Sequence, residues 1–222
     1  LFNFLLSENL INKKLNYKIK FRGVDAGSAY LKIEADTLFN KNVLKLKSEL
    51  KTNKYLDYFY KIRDDITVYM NSTNFSLLKV INNIHEGKYR KVHNAIFDVD
   101  SKNMIAKNKT IEIDEIAFSP LSIIYSLRKK MLHKNDTYKY DIYNLGRIKK
   151  INMKVIKEEI IKTKFGEFNT IVVSPTSNDN SSVIKNNGDM KVWFTNDENR
   201  YPIKIELKIN YGKLVLLLND IE

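Results

Sequence analysis

Leu15-Asn16-Tyr17-Lys18-Ile19-Lys20-Phe21, followed beyond Gly23 to Gly27 by Ala29-Tyr30-Leu31-Lys32-Ile33-Glu34-Ala35, sets the reading of the whole chain. Leu15, Tyr17, Ile19 and Phe21 point one way, and Asn16, Lys18 and Lys20 point the other. The side chains of an extended backbone alternate between its two faces, so this spacing predicts a half-buried strand. Ala29, Leu31, Ile33 and Ala35 repeat it after the glycine-bounded turn, which makes the pair a hairpin.

The same period of two continues outward. Leu44, Leu46 and Leu50 predict a third strand and Ile66, Val68 and Met70 a fourth; Leu78, Val80 and Ile84 lead through Glu86-Gly87 into Tyr89 to Val99. In the second half Tyr138, Tyr140 and Ile142 turn at Asn144-Leu145-Gly146 into Ile151, Met153 and Val155. Ile160 to Phe165 then turns at Gly166 into Phe168 to Val173. Met190, Val192 and Phe194, then Ile203 to Ile209, then Leu214, Leu216 and Leu218 predict three closing strands. Consecutive strands with short connections argue for antiparallel neighbours, not for βαβ units. Ser174 to Gly188, rich in Ser, Asn and Asp, reads as the longest loop.

Two places break the alternation. Tyr55, Phe59 and Ile62 fall at helical spacing, although a strand would also suit so aromatic a stretch. Ser119-Pro120 opens a clearer helix, over about 119–132. Serine can cap free amides, proline suits the first helical position, and Ile124, Leu127 and Met131 form an apolar stripe. Arg128, Lys129 and Lys130 stand near its C-terminal end, where the helix dipole favours cations. The expected fold is mainly β: an antiparallel meander forming a strongly curved sheet or partly closed barrel, with that amphipathic helix packed on it. Residues 1–14 read as an N-terminal extension and 15–222 as a single β-rich domain.

Composition narrows the function classes. The 222 residues include no cysteine, which excludes disulfides, thiolate metal sites and cysteine nucleophiles. No apolar run approaches the roughly 18 residues of a membrane-spanning helix. The net charge of +12 would suit a polyanion partner, but the lysines are scattered. In the densest stretch, Arg147 to Lys164, cations alternate with apolar residues and are diluted by Glu158 and Glu159, as on a solvated strand face. Nucleic acid is therefore not an expected partner. The first residue is Leu1 and the opening Leu1-Phe2-Asn3-Phe4-Leu5-Leu6 is too short for a complete export signal, so a trimmed chain with its signal removed is the expectation.

Several motifs taken in order resemble the bacterial DUF3108 family of exported proteins. They are Leu15 to Ile19 followed by Val24-Asp25-Ala26-Gly27, then Asp57-Tyr58-Phe59-Tyr60-Lys61-Ile62-Arg63-Asp64. Ser119-Pro120-Leu121-Ser122 leading to Tyr125-Ser126-Leu127-Arg128 comes next, and Gly166 with Phe168, then Trp193, Asp197, Arg200, Pro202, Ile203 and Ile205, complete the series. Ser119 departs from the pattern, which has aspartate there; both residues cap helices. The resemblance implies a periplasmic or envelope-associated protein and brings no established activity, cofactor, or catalytic or binding residue with it.

The residues themselves yield no catalytic set. His85, His93 and His133 are too scattered to dictate a metal site, and no nucleophile elbow or glycine-rich phosphate loop is present. Asp64 with Asp65, or Asp98 with Asp100, could form an acid–base pair, but strand ends and turns ordinarily carry such residues. In the Asp57 to Asp64 segment the first reading is packing, with charges such as Arg63 fixing a local turn; the second is a ligand-contacting rim. Trp193 should lie on the opposite face from Val192 and Phe194, packed under the helix or exposed for binding. The ligand-contact candidates are therefore Tyr58, Tyr60, Arg63, Trp193 and Arg200, with no catalytic residue, metal or cofactor expected. The first functional expectation is non-catalytic binding or carriage of an apolar or amphipathic ligand such as a lipid. A structural or protein-interaction module of the cell envelope is the second, and a carboxylate-based hydrolase the third.

Overall fold

The computed structural model describes residues 11–107, 109–176, 190–209 and 212–222. Alternation becomes strand wherever it was read. The first half forms β1 (Lys14–Phe21), β2 (Val24–Leu38), β3 (Lys41–Thr52), β4 (Arg63–Asn71), β5 (Leu77–Glu86) and β6 (Tyr89–Asp98), with a short helix α1 (Lys54–Tyr60) between β3 and β4. Two four-residue strands, β7 (Asn103–Ala106) and β8 (Lys109–Glu112), follow. Helix α2 (Pro120–Arg128) then leads to β9 (Thr137–Asn144), β10 (Arg147–Thr163), β11 (Gly166–Thr176), β12 (Met190–Thr195), β13 (Pro202–Ile209) and β14 (Gly212–Ile221).

All fourteen strands among the described residues join one antiparallel sheet, in the order β8-β7-β6-β5-β4-β3-β2-β1-β14-β13-β12-β11-β10-β9. Each half is a meander, and the two meet where β1 pairs with β14, Leu15 opposite Ile221 and Phe21 opposite Leu214. The sheet curls without its edge strands β8 and β9 pairing. Unpaired edges invite association, and here residues 113–119 cross the gap. Leu77 N donates to Ala117 O, Phe118 N to Asp141 O and Tyr143 N to Phe118 O, at 2.7–2.8 Å. Side chains span the same seam, with His93 Nε2 2.9 Å from the Tyr143 hydroxyl and Lys109 Nζ donating to Gly146 O at 2.8 Å.

The inward positions of successive strands form one core. Ile19, Ile33, Leu46, Val68 and Met70 are fully buried on the first half, and Met153, Val155, Val173, Val192 and Phe194 on the second. Burying a side chain of this size is worth about 1.5–3 kcal/mol. Helix α2 adds Ile123, Ile124, Tyr125 and Leu127 to the same cluster.

Three expectations need correction. The helix stops at Arg128 and does not reach 132, because Lys129 N and Lys130 N bond back to Ser126 O and Leu127 O, the tighter three-residue turn that closes helices. Met131 is thus off the stripe and 75% exposed. The helix also packs deeper than an apolar stripe alone requires: Ser122 to Arg128 are all buried, Arg128 at the C-terminal end included. The two segments read around Val155 and Ile160 are one seventeen-residue strand, β10, whose register shifts between Val155 and Lys157 against β11. The predicted loop from Ser174 begins later, since Ser174, Pro175 and Thr176 pair with Lys154, Met153 and Asn152; its continuation, 177–189, lies outside the described residues.

Candidate functional site

Among the described residues there are two helices, and each builds a distinct surface at one end of β4. At its C-terminal end the β4–β5 turn is held by Asn71, whose side chain accepts from Thr73 N at 2.8 Å and Asn74 N at 3.3 Å. This pushes Phe75 inward at φ +61°, fully buried against the Tyr125 ring of α2, with ring centroids 6.5 Å apart. Helix α2 is fixed by a reciprocal cap. Ser119 Oγ accepts from Ser122 N at 3.0 Å, and Ser122 Oγ accepts from Ser119 N at 2.8 Å. Two amides that would otherwise be orphaned at a buried helix start are thereby satisfied.

The far end of α2 is anchored by a buried cation. Arg128 donates from Nε and Nη2 to Asn199 O at 3.1 and 2.8 Å, and its guanidinium lies over the rings of Tyr201 (5.1 Å) and Tyr125 (5.5 Å). Burial pulls its pKa below the ordinary arginine value. Burial pushes the Tyr125 hydroxyl up to about 12, so the phenol keeps its proton at neutral pH.

Between this turn, α2, residues 116–118 and β9 lies a groove of about 570 Å³. Its floor is aromatic: Phe118 and Tyr140 meet edge to face at 4.9 Å, and the Tyr140 hydroxyl is 3.1 Å from Ser126 Oγ. Lys129, Lys130 and Lys139 line it, and no aspartate or glutamate does. Lys129 Nζ sits 4.8 Å above the Phe75 ring and donates to Thr73 O at 3.2 Å; partial burial lowers its pKa. Tyr138, also in the lining, is pushed up to about 12 by desolvation and by its bond to Asp136, while the charge of Arg200 pulls the other way. Arg200 Nη1 is buried without a hydrogen-bond partner among the described residues.

At the other end of β4, α1 is bolted down by polar contacts. Asn53 caps it through Leu56 N at 3.0 Å and reaches Asp25 O at 2.7 Å. Arg63 grips Asp57 with two bonds, Nη1 to Oδ1 at 3.0 Å and Nη2 to Oδ2 at 2.5 Å, while Thr52 Oγ1 bonds both residues. The bond from Arg63 is the main reason the Asp57 carboxyl is held below the usual range. The strand beneath is close: a Cβ on Gly27 would come within 2.1 Å of Lys51 O.

The five candidate residues do not assemble into one site. Tyr58 is exposed on α1, Tyr60 lies with its ring against Gly87 on the β5–β6 turn, and Arg63 is engaged with Asp57. Trp193 is buried on β12, neither under α2 nor open to solvent: its Nε1 donates to Glu159 Oε1 and Lys204 Nζ sits 4.0 Å over its ring. Only Arg200 approaches the groove, through Tyr138. The groove's own residues were visible as Lys129 and Lys130 after Arg128, read as dipole partners, but nothing in sequence tied them to Phe75 or Lys139. The paired carboxylates hold backbone. Asp64 Oδ1 accepts from His85 N and Asp98 Oδ1 from Asp100 N. Among the described residues no three His, Asp or Glu side chains gather to hold a metal ion.

The family model described as "Protein of unknown function (DUF3108)" matches residues 16–219. Among solved structures, the chain is similar to a β-barrel-like protein of the domain of unknown function DUF1849 from Brucella abortus, with a TM-score of 0.63 at 9% identity. The likeness covers 96% of this chain and 98% of that one, and at such identity it concerns the fold. A comparison with curated proteins returned no match.

Proposed function

The chain belongs to the DUF3108 family, and on that footing we propose that it is a non-catalytic protein of the periplasm or cell envelope that binds or carries an amphipathic ligand with an anionic head, such as a lipid. The observation that carries the proposal is the composition of the groove: aromatic rings below, three lysines around, no carboxylate among the lining residues. Its size lies within the roughly 300–1,000 Å³ of small-molecule sites. Rings supply apolar contact area, and a half-buried ammonium such as that of Lys129 regains through an anion the stabilisation that burial removes. The envelope location rests on the motif resemblance set out above. Among the described residues no helix is long and apolar enough to cross a membrane.

The test is native mass spectrometry with lipid extraction on the full chain purified from a bacterial periplasm. An anionic amphiphile should co-purify at near-stoichiometric amount, and Lys130→Glu/Lys139→Glu, both on exposed side chains, should weaken its binding about tenfold, the equivalent of ~1.4 kcal/mol. A clean ligand-free species from both proteins would overturn the reading.

A further inference from the structure

Helix α1 shows the reverse of ordinary burial. Only Leu56 is buried, with Tyr60 packed partly against the core, whereas Tyr55, Phe59 and Tyr58 are 60, 68 and 87% exposed. The three rings pack on one another in water, with Phe59 edge to face against Tyr55 at 5.8 Å and against Tyr58 at 5.2 Å. Nothing in the fold needs them there, since the helix is held by Asn53, Asp57 and Leu56. A contiguous exposed apolar patch of this kind marks a contact surface.

Charge says what it contacts. Exposed Lys54 and Lys61 flank the rings, and the one acid between them, Asp57, is turned inward and neutralised by Arg63. The adjoining β5–β6 turn, against which Tyr60 lies at Gly87, exposes two further cations, Lys88 and Arg90. Aromatic rings beside lysines suit the water–bilayer boundary, where rings enter the headgroup layer and each cation near an anionic surface gains about fivefold in binding.

We infer that α1 is a docking surface for an anionic lipid bilayer, with Tyr55, Tyr58 and Phe59 entering the headgroup region and Lys54 and Lys61 pairing with lipid phosphates. A second copy of the chain fits less well. Three rings on a seven-residue helix fall short of the roughly 800 Å² per partner that stable association requires, and two copies at net charge +12 repel. The nine residues of β4 put this surface roughly 30 Å from the groove, so the two surfaces share no residue. The inference goes beyond the groove reading and stands or falls separately from it.

Vesicle flotation with the full chain tests it, comparing pure phosphatidylcholine with an equal mixture of phosphatidylcholine and phosphatidylglycerol. The chain should float with the mixed vesicles and stay behind with the neutral ones. Tyr58→Ser/Phe59→Ser and, separately, Lys54→Glu/Lys61→Glu should each weaken flotation at least about tenfold. Both should keep the far-ultraviolet spectrum and unfolding midpoint of the parent, since all four side chains are exposed. Lys130→Glu/Lys139→Glu, in the groove, should float like the parent. The inference is overturned if the parent ignores anionic vesicles or if the serine variant floats undiminished. A concentration-dependent dimer that the serine variant abolishes would overturn it too, reassigning the rings to self-association.

Discussion

The two helices start with the same device and end in opposite environments. Asn53 and Ser119 each accept from the amide three residues on, yet α2 is buried from Ser122 to Arg128 whereas α1 buries Leu56 alone. The difference lies in what surrounds them. The sheet does not close between β8 and β9, and α2, seated between β4 and β9, supplies apolar surface where sheet is missing. The strands around α1 are already paired, so the helix only bridges β3 and β4. A cap thus starts a helix without determining whether it is structural or presented to the outside.

The sharpest way to break this comparison is to truncate one ring in each helix. Tyr125→Ala should cost about 3–5 kcal/mol in a denaturant titration, as a large side chain lost from a packed core does, whereas Phe59→Ala should stay within about 0.5 kcal/mol of the parent. Similar losses at both sites would mean that α1 is as deeply structural as α2. Removing the caps draws the line more finely. Ser119→Ala should lower global stability by about 1 kcal/mol. Asn53→Ala should weaken α1 by a similar amount, but the loss should appear as faster hydrogen exchange of the α1 amides with the unfolding midpoint nearly unmoved.

Acid should separate the ends by the least. The Asp57 carboxyl titrates below its ordinary 3.8 because of Arg63, so the folded state favours the ionised form. Its contribution is complete above that value and lost as pH falls through the depressed one. Arg128, which anchors α2, keeps its charge throughout this range. Hydrogen exchange between about pH 5 and about pH 3 should therefore show α1 loosening first, and Asp57→Asn should make α1 loose at both pH values. Equal protection of both helices across the range would remove Asp57 as the latch.

Most of the sheet could be read from the chain because alternation is a local signal: Leu15 to Phe21 or Ile203 to Ile209 reveal their inward face without knowing their neighbours. What escaped was non-local or short. The strands β7 and β8, four residues each, are too brief to show a period, and the crossing of the gap by residues 113–119 depends on where Leu77 and Asp141 end up. Trp193 was misjudged because alternation gives the side of a strand but not whether that side is covered; Glu159 and Lys204 cover it. Tyr58 and Tyr60 stand out in the sequence through their aromatic stretch, and the packing reading of Arg63 agrees with its grip on Asp57. The groove was missed since Phe75, Lys129 and Lys139 lie far apart in the chain and none carries a motif.

The pairing of β1 with β14 has a consequence in time. It brings together residues about two hundred positions apart, Lys14 Nζ meeting the Glu222 carboxylate at 2.9 Å, while every other strand pair in the described sheet joins neighbours in sequence. Loop-closure entropy makes such a contact late to form. During synthesis the first hairpins can therefore assemble as they emerge, and β1 waits with one edge open until β14 arrives. The finished sheet is a row of local hairpins whose two halves are locked together by the β1–β14 pair.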